Sequence, residues 1–243
     1  MQFLLLKKKK LVDFFNDFNS VIMKVLSITL FVAPIGIFCL ISKTFATQGL
    51  ESIIELLKYF IVVIAALLIH VGIIYIPIIK VIGKTNILDF FNGMKQALIF
   101  AFSTSSSSAT IPITLENLKK NFNVKEKIAS FTVPLGATIN MDGTAIMQGV
   151  ATIFISNAYG LELTFVDFIN VILTSTLASI GTAGVPGVGI IMLGMVLSQV
   201  GLPLEGIALI MGVDRFLDML RTTVNVSGDS MVSIVINRSE EKK

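Results

Sequence analysis

The chain contains 243 residues, of which 54% are hydrophobic and 14% are charged, and its net charge is +3. Soluble domains carry about 25% charged residues, so this composition excludes a soluble globular enzyme, a disordered chain and a nucleic-acid-binding protein. The single cysteine, Cys39, and the single histidine, His70, exclude a disulfide framework and a cysteine- or histidine-based metal cluster. We expect His70 to be a buried, hydrogen-bonded side chain.

Long runs of the chain carry no charge. Residues 25–42, 59–79, 143–161 and 168–204 contain no Asp, Glu, Lys or Arg. A helix needs about 20 apolar residues to cross a bilayer. We therefore predict an all-α, polytopic helical protein that spans the lipid bilayer of the cell (inner or plasma) membrane several times.

Two apolar segments do not fit a simple span. As a single helix, 168–204 would be about 55 Å long, and it is interrupted by the Gly- and Pro-rich residues 180–189. Likewise, 96–115 is interrupted by the Ser/Thr run 103–108 and by Pro112. Both segments predict re-entrant hairpins, in which two short helices meet at a non-helical tip buried in protein. The alternative is a flexible Ser/Gly loop in solvent, and the apolar arms argue against it.

The basic residues indicate an orientation. Lysines occur at 7–10, within 80–95 and within 119–127, and the carboxyl end is also basic. These segments alternate along the chain with loops that contain no Lys or Arg. The positive-inside rule fits this distribution only if each hairpin begins and ends on one side and the carboxyl terminus is cytoplasmic. We predict four spans and two oppositely oriented hairpins, which form an inverted repeat with broken helices, typical of secondary transporters.

The predicted layout has three parts. They are a scaffold-type amphipathic lead-in and first span at 1–48, a transport core at 49–237 and a cytoplasmic tail at 238–243. Within the core we place a span, hairpin 1 at about 86–120, a broken span at 126–157, hairpin 2 at about 164–200 and the last span at 204–237.

The last span carries a stripe of polar residues. At 100° per residue its polar side chains fall within about 100° of arc; they are Asp214, Asp218, Arg221, Thr222, Asn225 and Asp229. Ionisable groups inside a membrane are costly and usually functional. A structural ladder of ion pairs is the alternative, but three carboxylates against one arginine leave negative charge that a bound cation would complement.

A second polar group lies in the broken span. Asn140 and Asp142 lie between Pro134 and Gly143, residue types that unwind a helix. Unwound carbonyls with Asn and Asp side chains suit a hard cation, and sodium is favoured in transporters built this way. A Pro/Gly kink whose polar residues satisfy freed backbone groups is the alternative.

Four motifs together resemble those of the glutamate transporter family, the dicarboxylate/amino acid:cation symporters. They are SSSSATIP at 105–112, NMDGT at 140–144, SIGTAGVPG at 179–187 and DMLRTTVN at 218–225, followed by Asp229. Members of the family have eight spans and two hairpins, so the chain is expected to be the second half of such a protein, with its own transport activity in doubt.

The resemblance implies a set of binding residues. Substrate would be bound by Ser106, Ser107, Thr144, Val185, Gly189, Asp218, Arg221, Thr222 and Asn225. Sodium would be bound by Gly136, Asn140, Asn225 and Asp229 in a first site, by Thr138, Ser179, Ile180 and Thr182 in a second, and by Asp142 in a third. Asp218 would hold the substrate ammonium and Arg221 its side-chain carboxylate, which the planar guanidinium matches with two hydrogen bonds.

The resemblance also implies a function, namely sodium-coupled symport of aspartate or glutamate. The family works by elevator-type alternating access with hairpin gates, as a homotrimer when full length. The alternative is a C4-dicarboxylate:cation symporter of the same family, which Asp218 disfavours because such a substrate has no ammonium to pair. Ser105 and Met219 stand where members often carry an extra arginine. Gln148 stands where proton-coupled animal members carry glutamate, so we expect no proton cotransport through it.

Two rivals from other classes remain. Asp142 and Asp229 could form the aspartate pair of an intramembrane protease, although the hairpins and Arg221 would have no role there. The chain could also be an anion channel, which would show flux that aspartate does not saturate. We expect a transporter and not an enzyme.

Overall fold

The computed structural model describes residues 51–240 and thirteen helical positions between 13 and 42. Residues 1–49 and 50–243 form two separate units. In the first unit, the described positions are helical and exposed, and Phe14 stacks on Phe18. The predictions for the remainder of 1–48, and for the end of the tail at 241–243, lie outside the described residues.

The second unit begins with one long helical stretch. Helix α1 is Glu51–His70, and π-helical turns at Val71–Tyr75 and Ile78–Ile82 continue it. Within the described residues, Ile54–Ile82 is the one helical stretch long and apolar enough to cross a membrane by length and composition.

The next two helices fold back on one another. Helix α2 is Ile87–Thr104 and helix α3 is Ser107–Phe122. Between them Ser105 adopts a left-handed conformation with φ 51°, and Ser106 caps α3 by accepting a hydrogen bond from the amide of Ala109. At the other end of the pair, Asn121 donates to the carbonyl of Gly93 at 2.6 Å, so the two helices are antiparallel. Pro112 does not interrupt the structure and lies inside α3.

The following helix is broken in its middle. Helix α4 is Glu126–Ile139 and helix α5 is Asp142–Ala158, and Asn140 and Met141 between them are not helical. The break leaves the carboxyl end of α4 and the amino end of α5 at one place, where their backbone groups need other partners.

A second pair of helices follows. Helix α6 is Phe165–Ile180 and begins with a capping box in which Thr164 and Asp167 exchange hydrogen bonds. Helix α7 is Val188–Gln199. The segment between them ends at Gly187, whose φ of 81° disfavours a side chain.

The last helix lies at the centre of the unit. A short 3₁₀ turn, Leu204–Gly206, leads into helix α8, Ile207–Glu240, which packs against helices from both pairs, the broken helix and α1. All six residues of the predicted polar stripe are buried, so the stripe faces the protein interior. The prediction of an all-helical chain is confirmed for the described residues.

Candidate functional site

A small polar cavity lies where the two helix-pair tips, the break in α4–α5 and helix α8 meet. Its volume is about 10 Å³, about the space that one water molecule needs. It is lined by Ser105, Ser107, Met141, Thr144, Thr182, Ala183, Gly184, Val185, Gly189, Asp218, Thr222 and Asn225. These residues are far apart in sequence, and the fold brings them to one place.

The two tips contact each other directly at Gly184. Its carbonyl accepts hydrogen bonds from the Ser106 hydroxyl at 2.7 Å and from the Ser108 amide at 3.1 Å. A Cβ at Gly184 would lie 2.8 Å from the carbonyl oxygen of Ala137 in α4. Only glycine therefore allows the second tip to lie between the first tip and the end of α4.

Arg221 is the largest fully buried side chain in the described residues, and its charge is matched by carboxylates. Its Nη1 donates to Asp214 at 2.9 Å and its Nη2 donates to Asp218 at 2.8 Å, while its Nε has no hydrogen-bond partner in the described structure. A buried arginine requires such charge-assisted bonds, because an unpaired charge in a low-dielectric interior is very costly. The guanidinium lies close to Gly189, which lines the cavity: a Cβ at Gly189 would be 3.6 Å from Nη2.

Asp218 connects Arg221 to the second tip. Its Oδ1 accepts from Arg221, and its Oδ2 accepts from the backbone amide of Gly187 at 3.1 Å. Arg215 lies 3.9 Å from Oδ2 at the exposed edge of the site. A change in the charge pairing of Asp218 would therefore act on both Arg221 and the tip of the second pair.

Asn225 joins the cavity to the helix break. Its side-chain oxygen accepts from the amide of Gly143 at 2.8 Å, at the start of α5. Its side-chain nitrogen contacts the sulfur of Met141 at 3.2 Å and the hydroxyl of Thr144 at 3.5 Å. The side chain of Asn225 thus satisfies backbone that the break has freed.

The four residues predicted for the first sodium site lie together. Asn140 donates to Asp229 Oδ1 at 2.8 Å and to the backbone carbonyl of Asn225 at 3.2 Å. Gly136 lies against the Asp229 carboxylate, which is only 3% exposed. A buried carboxylate, a side-chain amide and backbone carbonyls are oxygen donors of the kind that hard cations prefer.

Asp142, the residue predicted for the third sodium site, has different partners. Its Oδ2 accepts from the hydroxyl of Tyr75 at 2.8 Å and lies 3.2 Å from Nε2 of His70. His70 is hydrogen-bonded, as expected, but it is only partly buried.

The residues predicted for the second sodium site bond locally. The hydroxyl of Thr138 donates to the carbonyl of Leu135, that of Ser179 to Thr176 and that of Thr182 to Ala178. Thr138 and Ile180 are exposed, whereas Ser179 and Thr182 are buried and Thr182 lines the cavity. In the described residues these hydroxyls therefore support their own helices.

Sequence reasoning missed several residues of the site. Ser105 lines the cavity with a buried hydroxyl that has no hydrogen-bond partner in the described structure. Gly184, Met141 and Asp214 each bond a predicted site residue. Asp214 belongs to the predicted polar stripe, but neither the stripe nor the motifs assign it a binding role. Tyr75 had no local signal at all, because its partner Asp142 is 67 residues away.

Comparison with known proteins gives consistent matches. The family model described as the sodium:dicarboxylate symporter family matches residues 1–239. Excitatory amino acid transporter 2 of Homo sapiens is 43% identical over 225 residues, which cover 91% of this chain and 39% of that protein. Excitatory amino acid transporter 1 is also 43% identical, in Homo sapiens over 90% of this chain and 41% of that protein, and in Ambystoma tigrinum over 92% and 41%.

The chain spans about two fifths of the length of these curated relatives. The relatives are transporters and not enzymes, which removes the protease hypothesis. The match over nearly the whole chain and the identity of 43% show that this protein belongs to the sodium:dicarboxylate symporter family.

Proposed function

We propose that this chain forms the binding core of a sodium-coupled symporter of acidic amino acids, with aspartate or glutamate as the substrate. The observation that carries the proposal is the buried guanidinium of Arg221 beside a cavity that both tips and the broken helix line. The names of the similar transporters, which refer to excitatory amino acids, agree with an acidic substrate.

Binding of the substrate would replace hydrogen bonds that the site residues make with one another. Some of the N–H groups of Arg221 would donate to the substrate's side-chain carboxylate instead of to Asp214 and Asp218. Asp218 would then pair with the substrate ammonium. Thr222, Asn225 and the two tips would hold the α-carboxylate end. In this exchange Arg221 would keep a carboxylate partner and Asp218 would gain the ammonium, so neither would be left buried without an opposite charge.

Sodium would be the co-transported cation. The first site would use Asp229 with Asn140, Asn225 and the backbone at Gly136, and Asp142 would contribute to a further site. Thr138, Ser179, Ile180 and Thr182 would require their hydroxyls or carbonyls to turn away from their present local partners. In every case the donors would be oxygens, which suits a hard monovalent cation.

The proposed membrane arrangement has four spans and two re-entrant hairpins of opposite orientation, with a cytoplasmic carboxyl terminus. The α2–α3 and α6–α7 pairs would be the hairpins. Their tips meet through Ser106 and Gly184 beside the cavity, which supports a role as gates in elevator-type alternating access. The lead-in and first span at 1–48, the transport core at 49–237 and the tail at 238–243 complete this proposal, with a homotrimer as the assembly of the whole protein.

The test is aspartate binding to the purified 243-residue chain in detergent, in sodium and in an equal concentration of potassium. We expect saturable binding in sodium that Asp218→Asn removes. Asp89→Asn, which changes an exposed carboxylate of α2 away from the cavity, is the matched control and should bind as the unchanged chain does.

Three results would contradict the proposal. Equal aspartate binding in sodium and potassium by a chain that is helical by circular dichroism would exclude sodium coupling. Competition by succinate as strong as that by aspartate would favour a C4-dicarboxylate substrate, because succinate has no ammonium for Asp218. Anion flux that aspartate does not saturate would favour a channel.

A further inference from the structure

Among the described residues, the Asp142 carboxylate is held through one oxygen. Tyr75 donates its hydroxyl to Oδ2 at 2.8 Å, and His70 Nε2 lies 3.2 Å from the same atom. Neither bond uses Oδ1. Two groups on Oδ2 restrict the rotation of the carboxylate and leave Oδ1 for another partner.

The two groups that hold Asp142 come from an irregular part of the first helix. His70 is the last α-helical residue of α1, and Tyr75 is the last residue of the π-helical turn that follows. Their rings contact edge to face with centroids 4.7 Å apart. The π-helix is rare, and its single turns inside α-helices are frequently found at functional sites.

Helix α8 leaves space for this contact at a single glycine. A Cβ at Gly228 would lie 2.5 Å from the Tyr75 hydroxyl oxygen and 2.5 Å from Nδ2 of Asn140. Tyr75 therefore reaches a point where α1, the α4–α5 break and α8 converge, next to the Asn140 side chain that bonds Asp229.

We infer that Tyr75 is a positioning residue for sodium: its hydroxyl holds Oδ2 of Asp142 so that Oδ1 is presented to a cation at the helix break. The inference rests on the proposed function, since it assumes that Asp142 is a sodium ligand. Groups that orient a metal ligand from behind commonly change metal affinity by about 10- to 100-fold when they are removed.

The test uses two variants that each remove one buried phenolic oxygen. Tyr75→Phe removes the bond to Asp142. Tyr59→Phe is the matched control, because Tyr59 is 2% exposed against 1% for Tyr75, and its hydroxyl has no hydrogen-bond partner in the described structure. The purified chain is titrated with sodium without aspartate, and the rise of Tm with sodium concentration gives the sodium affinity.

We expect Tyr75→Phe to weaken sodium binding about tenfold, while Tyr59→Phe leaves it unchanged. In an Asp142→Asn background, Tyr75→Phe should cause no further loss, because the bond acts through that carboxylate. Tm without sodium reports any general loss of stability separately from the sodium affinity.

The outcomes are distinguishable. Sodium affinity that is equal in Tyr75→Phe and the unchanged chain would overturn the inference and leave the proposed function standing. A loss of the same size in the Asp142→Asn background would also overturn it, because the effect would then not pass through Asp142. No response of the unchanged chain to sodium would overturn the proposed function, and this inference with it.

Discussion

Gly136 lies directly against the carboxylate of Asp229, so closely that a Cβ at Gly136 would overlap Oδ1. Gly136 is in the last turns of α4, and Asp229 is in the middle of α8. The contact brings backbone beside a buried carboxylate, which Asn140 also bonds at 2.8 Å. Glycine is required here for close approach, since its backbone has no unusual conformation.

Gly136→Ala should therefore damage the proposed sodium site. The new methyl group must displace the Asp229 carboxylate and lengthen its bond to Asn140, so we expect at least a tenfold loss of sodium affinity. The matched control is Gly149→Ala in α5, where a Cβ would meet nothing within 4 Å. That control should raise stability by about 1 kcal/mol. Unchanged sodium affinity in Gly136→Ala, measured by sodium-dependent Tm, would contradict the prediction.

Arg221→Ala should strongly weaken binding of acidic substrates. Two charge-assisted hydrogen bonds together contribute about 3 kcal/mol, which corresponds to about 100-fold in affinity for aspartate. The control is Lys127→Ala, which removes an exposed cation in the first turn of α4, at the end away from the helix break, and should bind aspartate nearly normally. Undiminished aspartate affinity in Arg221→Ala would show that this guanidinium does not hold the substrate.

The same substitution leaves Asp214 and Asp218 buried without their guanidinium, which costs about 3–5 kcal/mol of stability. Asp214→Asn in the same chain removes one of the uncompensated charges and should recover part of the lost Tm. Aspartate affinity should not recover with it, and this difference separates folding from binding.

Gly184→Ala should separate the two tips. A methyl group there would press on the Ala137 carbonyl and the Ser108 hydroxyl, each 2.8 Å away. We expect the hydrogen bond from Ser106 to break and the cavity to become more accessible. Gly181→Ala, in the same tip segment, meets only ordinary contacts at 3.7 Å and beyond, so it is the matched control.

The measurement is the rate of thiol labelling of Val185→Cys in a Cys39→Ser background. We expect labelling to be several times faster with Gly184→Ala and unchanged with Gly181→Ala. Equal rates in both would mean that the Gly184 contact does not keep the tips together.

Gln148→Glu should make substrate binding depend on pH. The Gln148 side-chain nitrogen donates to the carbonyl of Gly189 at 3.2 Å, and glutamate can replace that bond only when it is protonated. Aspartate affinity should therefore be close to that of the unchanged chain at low pH and should fall as the pH rises and the acid ionises. The unchanged chain, with a neutral amide there, should show no such fall over the same range. Parallel pH profiles for the two proteins would contradict the prediction.

Much of the site could be predicted because its signals are local. The helical spacing of the polar residues on α8 predicted one buried face, and all six are buried. Glycine and proline runs near 140 and between 180 and 189 marked non-helical backbone, and helices end at Ile139 and Ile180. Pro112 was a false signal, since α3 continues through it although it lacks the N–H that would bond the Ser108 carbonyl.

The remaining features depend on contacts between distant segments. The pairing of Arg221 with Asp214 depends on the orientation of the arginine side chain, because helical spacing alone permits several partners on the polar stripe. The contact of Tyr75 with Asp142 depends on a π-helical turn, which no residue pattern in that apolar run indicates. Gly184 is one of several glycines in its tip, and only the packing against Ala137 distinguishes it.

Asn225 belongs to both halves of the site at once. Its backbone carbonyl accepts a hydrogen bond from Asn140 in the proposed first sodium site, while its side chain bonds Gly143 and lines the proposed substrate cavity. A cation that fixes this one residue lowers the ordering cost for a substrate, and a substrate that fixes it does the same for the cation. Because such coupling is reciprocal, the factor by which sodium tightens aspartate binding must equal the factor by which aspartate tightens sodium binding.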